Sequence, residues 1–408
     1  MTVPADPASR RALARDADEE TRYQAVSLLD PADPEDRALL VERLGDPSWR
    51  VRSAAVEQIG ASPGGAAALP DLLEALSSGE SVGAREAASA ALARIGGPAV
   101  ASLVERLGWE DSNLRQAAAG VLGVVADRRA VAPLTARLAD PDPNVRAAAA
   151  EALGWIGGAE ALEALRAAVE SDDRTLRLSA LEALQRLGAC LPRPSMERLV
   201  ADRTLRRPAL RLLGASDDPD LLPLLSRGLV DPARSAREAA LDALGQQRSR
   251  RGAEPLAPLL DEIRASARAD PGLSDAWAAS LRSEEPNVAT GALTALGAAG
   301  APRHVQAMLR LAEDDGLRSL VEEVLEALPA GAELRAALAE SLPGLGQVAR
   351  LTALAALARL GSPAAFESLV REASDPGSYV QAEAVAALGR LSDARGVAPL
   401  AGLLGDDA

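Results

Sequence analysis

The stretch DPDPNVRAAAAEALGWIG, Asp140 to Gly157, predicts a complete helix from local signals alone. Asp140 supplies an acceptor and a negative charge at the helix start, and the prolines fix the backbone angle where no donor is needed. Gly157 then ends the helix. Between these signals, apolar residues recur at steps of three and four, on one helical face: Val145, Ala148, Ala149, Ala152, Leu153 and Ile156.

The same phrase recurs in altered copies along the whole chain, such as DPSWRVRSAAVEQIG from Asp46 and DPARSAREAALDALG from Asp231. Twelve copies align, and their steps are 29 to 33 residues, apart from one of 52 between Arg237 and Ala289. A period of this size is typical of stacked repeats. The aligned position is held by Arg22, Arg52, Arg85, Arg115, Arg146, Arg177, Arg206, Arg237, Ala289, Arg318, Arg350 and Gln381.

Between copies lies a second amphipathic segment, such as AVAPLTARLAD from Ala130. Each repeat is therefore predicted to be a helical hairpin. One hairpin is too small to bury its apolar faces, so it gains a core only by stacking on its neighbours. We call the second helix of each repeat, which carries the repeated arginine, the V-R helix.

Each repeat contains, in order, an apolar helix, a short turn with Asp, the residues V-R and the motif A-A-x-A-L-G. This order resembles the HEAT-like repeats of the phycobilisome-lyase type, from about Pro7 to Leu404. The resemblance implies an all-α, right-handed α-solenoid of about twelve hairpins, with the V-R helices on the concave side. Residues 1–408 are expected to form one continuous domain. The family includes scaffolds, chaperone-like lyases and regulators, so the resemblance leaves the function open.

The composition disfavours several classes of function. The basic residues are 44 arginines, which indicates a GC-rich bacterial source, and the net charge of -15 makes nucleic acid an unlikely partner. One cysteine and one histidine exclude the usual zinc clusters, and Cys190 and His304 are predicted to be structural, with His304 an exposed helix residue. No catalytic residue, cofactor or metal is predicted. With neither a signal-peptide core nor a membrane span, a cytoplasmic location is expected.

Three regions depart from the period. Residues 246–283 are predicted to form a helix from about Ala253 to Arg268, a break at ADPG and a helix carrying Trp277, either as a hinge or as a decayed repeat. Pro208 is predicted to delay or kink its V-R helix. The C-terminal helix offers Val397, Leu400, Leu403 and Leu404, and is a candidate for end-to-end self-association. The densest basic patch is Arg203, Arg206, Arg207 and Arg211.

The repeated arginines are predicted to join neighbouring repeats through the Asp turns. The alternative is a groove of Arg and Glu that binds a charged peptide. Five residues after the repeated arginine, acids recur as either a stripe or isolated surface charges. Trp155 has small neighbours and is the first candidate for a binding anchor. The structural arginines are Arg52, Arg115, Arg146, Arg177 and Arg237, and the candidate groove residues are Glu57, Glu151, Trp155, Glu182, Asp242 and Glu323.

These features favour a non-catalytic scaffold that binds a partner protein or peptide along the concave surface. The alternative is a chaperone-like bilin lyase that acts on a partner protein, although seven aromatic residues offer little to hold a tetrapyrrole. Nucleic-acid binding is a third hypothesis, which rests on the basic patch alone.

Overall fold

The computed structural model describes residues 6–77, 81–375, 377–378, 380–391, 394–397, 399 and 401, and no strand occurs among them. The chain divides into two compact units, Met1–Ala189 and Cys190–Ala408. Among the described residues each unit holds six V-R helices, and the preceding helix of each repeat packs against its V-R helix. The predicted all-α solenoid is confirmed. A single continuous domain across the boundary stays a prediction.

The helices of the first unit are α1 (Pro7–Leu13), α2 (Glu19–Val26), α3 (Pro34–Arg43), α4 (Trp49–Ala61), α5 (Leu69–Ser77), α6 (Val82–Ile95), α7 (Val100–Arg106), α8 (Ser112–Val125), α9 (Val131–Arg137), α10 (Pro143–Ile156), α11 (Ala159–Val169) and α12 (Arg174–Arg186). The even-numbered ones are the V-R helices. Short 3-10 turns at Pro63–Ala68, Gly97–Ala99 and Arg128–Ala130 connect some of them.

The helices of the second unit are α13 (Arg193–Ala201), α14 (Arg206–Ala215), α15 (Leu224–Leu229), α16 (Arg234–Arg251), α17 (Ala257–Ala269), α18 (Gly272–Ala278), α19 (Pro286–Ala299), α20 (Val305–Arg310), α21 (Asp315–Ala327), α22 (Ala332–Ser341), α23 (Gln347–Arg359), α24 (Pro363–Ala373) and α25 (Gln381–Leu391). The V-R helices are α14, α16, α19, α21, α23 and α25. The 3-10 turns are Pro219–Leu221, Glu254–Leu256, Ala279–Arg282, Pro302–His304, Leu311–Glu313 and Ala394–Gly396.

The start of α10 corrects one detail of the sequence prediction. The capping residue is Asp142, whose carboxylate accepts from the amide of Asn144 at 2.8 Å, with Pro143 in the first turn. Asp140 instead accepts from the amide of Asp142 at 3.0 Å. Of the two Asp-Pro pairs, only the second places its proline at the first helical position, where a missing donor costs nothing. Asp140 is thereby left for another contact.

Consecutive V-R helices approach one another closely at glycines. A methyl group at Gly123 would lie 2.8 Å from Cα of Ala152, and one at Gly154 would lie 2.9 Å from Cα of Ala183. In the second unit the approach is closer still, because a methyl group at Gly245 would lie 1.9 Å from the carbonyl oxygen of Asn287. The glycine of the A-A-x-A-L-G motif therefore sets the separation of the V-R helices, since any side chain there would push them apart.

The irregular segment follows the predicted order of helix, break and helix. The 3-10 turn and α17 are followed by a break at Asp270, and α18 carries Trp277, which is fully buried and donates its Nε1 hydrogen to the carbonyl of Leu229 at 2.9 Å. Helix α16 continues to Arg251, so the first residues of the irregular segment extend the preceding V-R helix. The buried side chain of Gln247 supports this extension, since it donates to carbonyls at the end of α14. A hinge role stays a prediction.

The predicted effect of Pro208 is confirmed. Helix α14 begins at Arg206, whereas α10 begins three residues before the equivalent Arg146. Pro208 thus falls in the first turn, where its missing amide hydrogen is tolerated.

At the other end of the chain, Val397 is exposed. Leu400, Leu403 and Leu404, on which the self-association prediction depends, lie outside the described residues. In the described part of the chain no single helix is long and apolar enough to cross a membrane. One pair, Val82–Ile95 with Gly97–Arg106, meets the criteria of length and composition jointly, across a bend of 109°.

Candidate partner-binding face

The repeated arginines lie between consecutive repeats. Nε and Nη2 of Arg115 donate to the two carboxylate oxygens of Asp140 at 2.9 and 2.8 Å, while its Nη1 donates to the carbonyls of Trp109 and Glu110 at 2.7 Å each. The carboxylate of Asp140 is fully buried. One guanidinium thus binds the turn of its own repeat and the Asp turn of the next. The same link joins Arg22 to Asp46, Arg146 to Asp173 and Arg206 to Asp231.

Burial alone would raise the pKa of Asp140. The hydrogen bonds from Arg115 and the amide of Asp142, together with the charges of Arg115 and Arg137, outweigh burial and hold that pKa below its usual value. Asp46 has the same balance, with burial opposed by Arg22 and the amide of Ser48, and its pKa is likewise lowered. These carboxylates therefore stay charged inside the stack.

Three other members of the arginine column bind only carbonyls of their own repeat, among the hydrogen bonds between described residues: Arg52, Arg177 and Arg237. Nη1 of Arg52 donates to the carbonyl of Asp46 at 2.8 Å, and Nη1 of Arg237 donates to that of Asp231 at 2.8 Å. Nε of Arg177 donates to the carbonyl of Val169 at 3.0 Å. These guanidinium groups are occupied by the scaffold.

The predicted acidic positions do not share one environment. Glu57, Glu151 and Glu182 are exposed, and Glu151 and Glu182 lie in consecutive repeats. Glu57 is separated from them by the repeats in which Ala90 and Gly120 hold the equivalent position. In the second unit, half-buried Asp242 accepts from Gln246 at 3.0 Å, and Glu323 is paired with Arg248. The arrangement leaves only a two-repeat acidic strip, on α10 and α12.

Ion pairs in the second unit span a whole repeat. Arg248 on α16 reaches Glu323 on α21 past α19, and Arg390 on α25 reaches Glu322 on α21 past α23, at 2.7 Å. A third pair, Arg318 and Glu383, also joins α21 to α25, at 3.8 Å. Most residues of α19 and α23, which lie between the bridged helices, are buried.

The burial of the V-R face is clearest on α19. Thr290 and Thr294 hold the positions that are exposed or half-exposed on α10, yet both are buried. The V-R face of the second unit is therefore closed around α19.

The V-R face of the first unit is open. Nine positions after the repeated arginine, α6, α8, α10 and α12 carry Arg94, Val124, Trp155 and Arg186, which we call the end column. Val124 is 70% exposed and Trp155 is 55% exposed.

Glycines of the preceding repeats lie beneath three of these side chains. A methyl group at Gly60 would lie 2.4 Å from Cβ of Arg94, and one at Gly123 would lie 3.6 Å from Cδ1 of Trp155. Gly154 similarly gives room to Arg186, whose Nη1 would lie 3.0 Å from an added methyl group. The motif glycines thus place the end column as well as spacing the helices.

Arg186 also stacks on Trp155. Its Cζ lies 4.0 Å from the centroid of the indole ring, a distance typical of a cation-π contact. Trp155 is therefore less isolated than its sequence neighbours suggested. Sequence reasoning missed Arg186, although its place in the same register as Trp155, one repeat later, was a signal that could have found it.

The other tryptophans lie elsewhere. Trp49 is 69% exposed at the start of α4, and Trp109, in the turn before α8, is stacked under Arg106 at 4.1 Å. Neither belongs to the end column. Both offer comparisons for Trp155.

One member of the basic patch, Arg206, is bonded within the repeats. Arg206 donates to the carbonyls of Val200 and Ala201 and to the carboxylate of Asp231. Arg203 and Arg207 are exposed, and Arg211 is half-buried. The patch therefore presents fewer free charges than its sequence suggests.

The prediction that His304 is an exposed helix residue was wrong. It ends the 3-10 turn Pro302–His304, and its side chain is only 14% exposed, with Nε2 lying 3.1 Å from Oδ1 of Asp275. Burial and the neighbouring Arg303 lower the pKa of His304, against the opposing effect of Asp275. His304 lies in the short APRH turn that precedes α20, and its side chain is therefore not on the exposed surface of that helix.

Comparison with known families identifies the repeat. The model described as HEAT repeats matches residues 8–93, 38–110, 100–185 and 336–408, which together cover more than half of the chain. The chain belongs to the HEAT repeat family. A model described as a HEAT repeat associated with sister chromatid cohesion matches one further HEAT repeat, at residues 215–244. Comparison with curated proteins gives no significant match.

Two solved structures have a similar fold. Importin beta is 16% identical, with a TM-score of 0.55 over 97% of this chain and 64% of that one. Kap95p, in a structure that concerns its binding to RanGDP, is 16% identical, with a TM-score of 0.54 over 94% of this chain and 56% of that one. These identities support the fold alone. The chain spans less than two thirds of either protein.

A third match is the complex of CpcE and CpcF of phycocyanin lyase from Nostoc sp. It is 26% identical over 36% of this chain and 98% of that one, with a TM-score of 0.33. The phycobilisome-lyase subtype stays a prediction.

Proposed function

We propose that this HEAT repeat protein is a non-catalytic scaffold of a bacterial cytoplasm that holds a partner protein or peptide on the open V-R face of α6, α8, α10 and α12. The observation that carries the proposal is the exposure of Val124 and Trp155 in consecutive repeats. Large apolar side chains exposed side by side are typical of interaction sites, and Trp is among the residues that most often anchor a bound partner.

The surroundings of these two side chains suit a partner site. Arg94 and Arg186 flank them along the end column, and Glu151 lies one helical turn before Trp155. An apolar centre with charged neighbours is the usual anatomy of a protein interface. The closed face around α19 offers no comparable surface, which supports assigning the partner to the first unit.

The repeat architecture supports binding over catalysis. Each V-R helix adds one row of side chains to the same face, so a stack of repeats presents an extended surface. Repeated arginines such as Arg115, Arg146 and Arg237, for which a charged groove was the alternative to a structural role, bind turns and a buried carboxylate. The proposal therefore rests on the end column.

Site-specific photocrosslinking in the source cell tests the proposal. Benzoylphenylalanine replaces Val124 in the full chain, and a matched probe replaces Glu163, whose side chain is 71% exposed on α11, outside the V-R helices. We expect a protein adduct from position 124 and none of the same mass from position 163. Equal adducts from both positions, or none from position 124, would contradict the proposal.

A separate measurement addresses the lyase alternative. Purified protein is incubated with a bilin, and the visible absorbance spectrum is followed. We expect no shift. A stable shift, together with transfer of the bilin to a second protein, would replace the scaffold proposal with the lyase.

A further inference from the structure

We propose that the segment of the partner bound by the end column carries a carboxylate next to an aliphatic side chain, with the carboxylate on Arg186 and the aliphatic group on Val124 and Trp155. This inference rests on the proposed function and deepens it, because it names the chemistry of the bound segment.

The guanidinium of Arg186 is held in place before any partner binds. One of its faces stacks on Trp155 at 4.0 Å, and Nη1 occupies the space left by the missing side chain of Gly154. A side chain already held in one place loses little further freedom on binding, which favours affinity. The neighbouring repeat therefore fixes the position of the Arg186 guanidinium, so a partner does not have to order it on binding.

The hydrogen-bonding edge of this guanidinium is unused within the described part of the chain, where Arg186 makes no ion pair and no hydrogen bond to a side chain or carbonyl. Stacking occupies the face of the group and uses none of the hydrogens of its planar N–H fork. The fork matches a carboxylate, which can accept two parallel hydrogen bonds. This is the chemical reason for placing an acidic side chain at Arg186.

The apolar part of the bound segment is inferred from the positions of Val124 and Trp155 in the end column. Val124 and Trp155 lie in consecutive repeats of the column that ends at Arg186, and their exposure of 70% and 55% leaves apolar area for a partner to cover. Covering such area stabilises a complex by about 25 cal/mol per Å² before the cost of association. An aliphatic side chain is therefore expected one step from the carboxylate.

The neighbouring charges restrict where the carboxylate sits. Glu151 and Glu182 are exposed, each four residues before its end-column neighbour on the same helix. They repel an acid displaced toward the middle of the face, and they disfavour a doubly charged phosphate. The net charge of -15 also disfavours long acidic runs. The expected segment therefore has one or two carboxylates rather than an acidic tract.

Selection from a random peptide library displayed on phage tests this inference on the full chain. Peptides are selected on the wild type and counter-selected on Trp155→Ala, with Trp49→Ala as the matched variant, because Trp49 is 69% exposed but outside the column. We expect enriched peptides that are retained by Trp49→Ala, are lost on Trp155→Ala, and share Asp or Glu beside Leu, Ile or Val.

A double-substitution cycle then uses one enriched peptide. We expect Arg186→Gln, or Glu→Gln in the peptide, to weaken binding by about tenfold. We expect the two changes together to weaken binding little more than either alone. Arg186→Lys, which keeps the charge without the planar fork, is expected to recover only part of the affinity. Circular dichroism verifies that each variant is folded.

The outcomes separate the two proposals. Peptides that depend on Trp155 but lack acidic residues, or carry basic residues in their place, would overturn the carboxylate inference and leave the scaffold proposal intact. Strictly additive effects in the cycle would also overturn it. Failure to find any peptide that depends on Trp155 would count against both proposals.

Discussion

Arg115 donates to both carboxylate oxygens of Asp140, a residue 25 positions later, and thereby joins one V-R helix to the Asp turn of the next repeat. The carboxylate is fully buried and the arginine side chain is 9% exposed. A buried charge pair loses most when one partner is removed, because the remaining charge has neither water nor a counter-ion. This contact makes the stacking of repeats depend on single residues.

Arg115→Met is therefore expected to lower the free energy of unfolding by about 3 kcal/mol. Thermal unfolding followed by circular dichroism measures the loss, and hydrogen exchange of α8 and α10 locates it. The matched variant is Arg129→Met, which removes an exposed pair with Asp127. That variant is expected to unfold at the same temperature as the wild type. Equal effects of the two variants would show that the buried link does not stabilise the stack.

The depressed pKa of Asp140 predicts a pH dependence with a defined sign. The folded carboxylate has a pKa below its unfolded value of 3.8, so the stability it contributes is fully present above about pH 5 and is lost as the pH falls. Asp140→Asn is expected to be less stable at neutral pH and to lose less stability on acidification. Urea unfolding at several pH values measures this. Parallel profiles for the wild type and Asp140→Asn would contradict the assignment.

The close approach of V-R helices predicts opposite effects for two glycines. Gly154→Ala places a methyl group 2.6 Å from Cβ of Ala183 and 2.9 Å from its Cα, and is expected to destabilise by about 1 to 3 kcal/mol. Gly120 lies inside α8 with no atom within 4 Å of an added methyl group. Gly120→Ala is therefore expected to stabilise by up to about 1 kcal/mol, from helix propensity alone. Melting temperatures compare the two, and a stabilising Gly154→Ala would refute the packing argument.

The ion pair between Glu322 and Arg390 predicts a local effect in the second unit. Glu322→Gln removes the charge that Arg390 reaches past α23, so the amides of α25 are expected to exchange faster. The effect on global stability is expected to stay under about 1 kcal/mol, because Arg390 is 57% exposed. Glu333→Gln on α22 is the control. Unchanged exchange in α25 would mean that the pair does not hold that helix.

The sequence by itself determined the hairpins and their period. Caps, prolines and apolar steps act within one helix, so DPDPNVRAAAAEALGWIG predicted α10, and Pro208 predicted the late start of α14, without any knowledge of neighbours. The limit of these signals is shown by the helix cap, which was predicted to be Asp140 and is Asp142 in the structure. Two adjacent Asp-Pro pairs offer the same local chemistry, and the contact with Arg115 from the previous repeat distinguishes them.

Only the tertiary structure decided which side chains are free. Arg146 was predicted to be structural and is bonded to Asp173, whereas Arg186, which the sequence did not single out, stacks on Trp155 and uses none of its N–H groups within the described residues. Glu323 and Glu151 hold the same position in their repeats, and among the described residues only Glu323 is paired, because α16 is long enough to bring Arg248 to it. The physical reason is that capping and periodicity depend on residues a few positions apart. The availability of a side chain depends instead on helix-to-helix register, and for the end column glycines 32 to 34 positions away in the chain set that register.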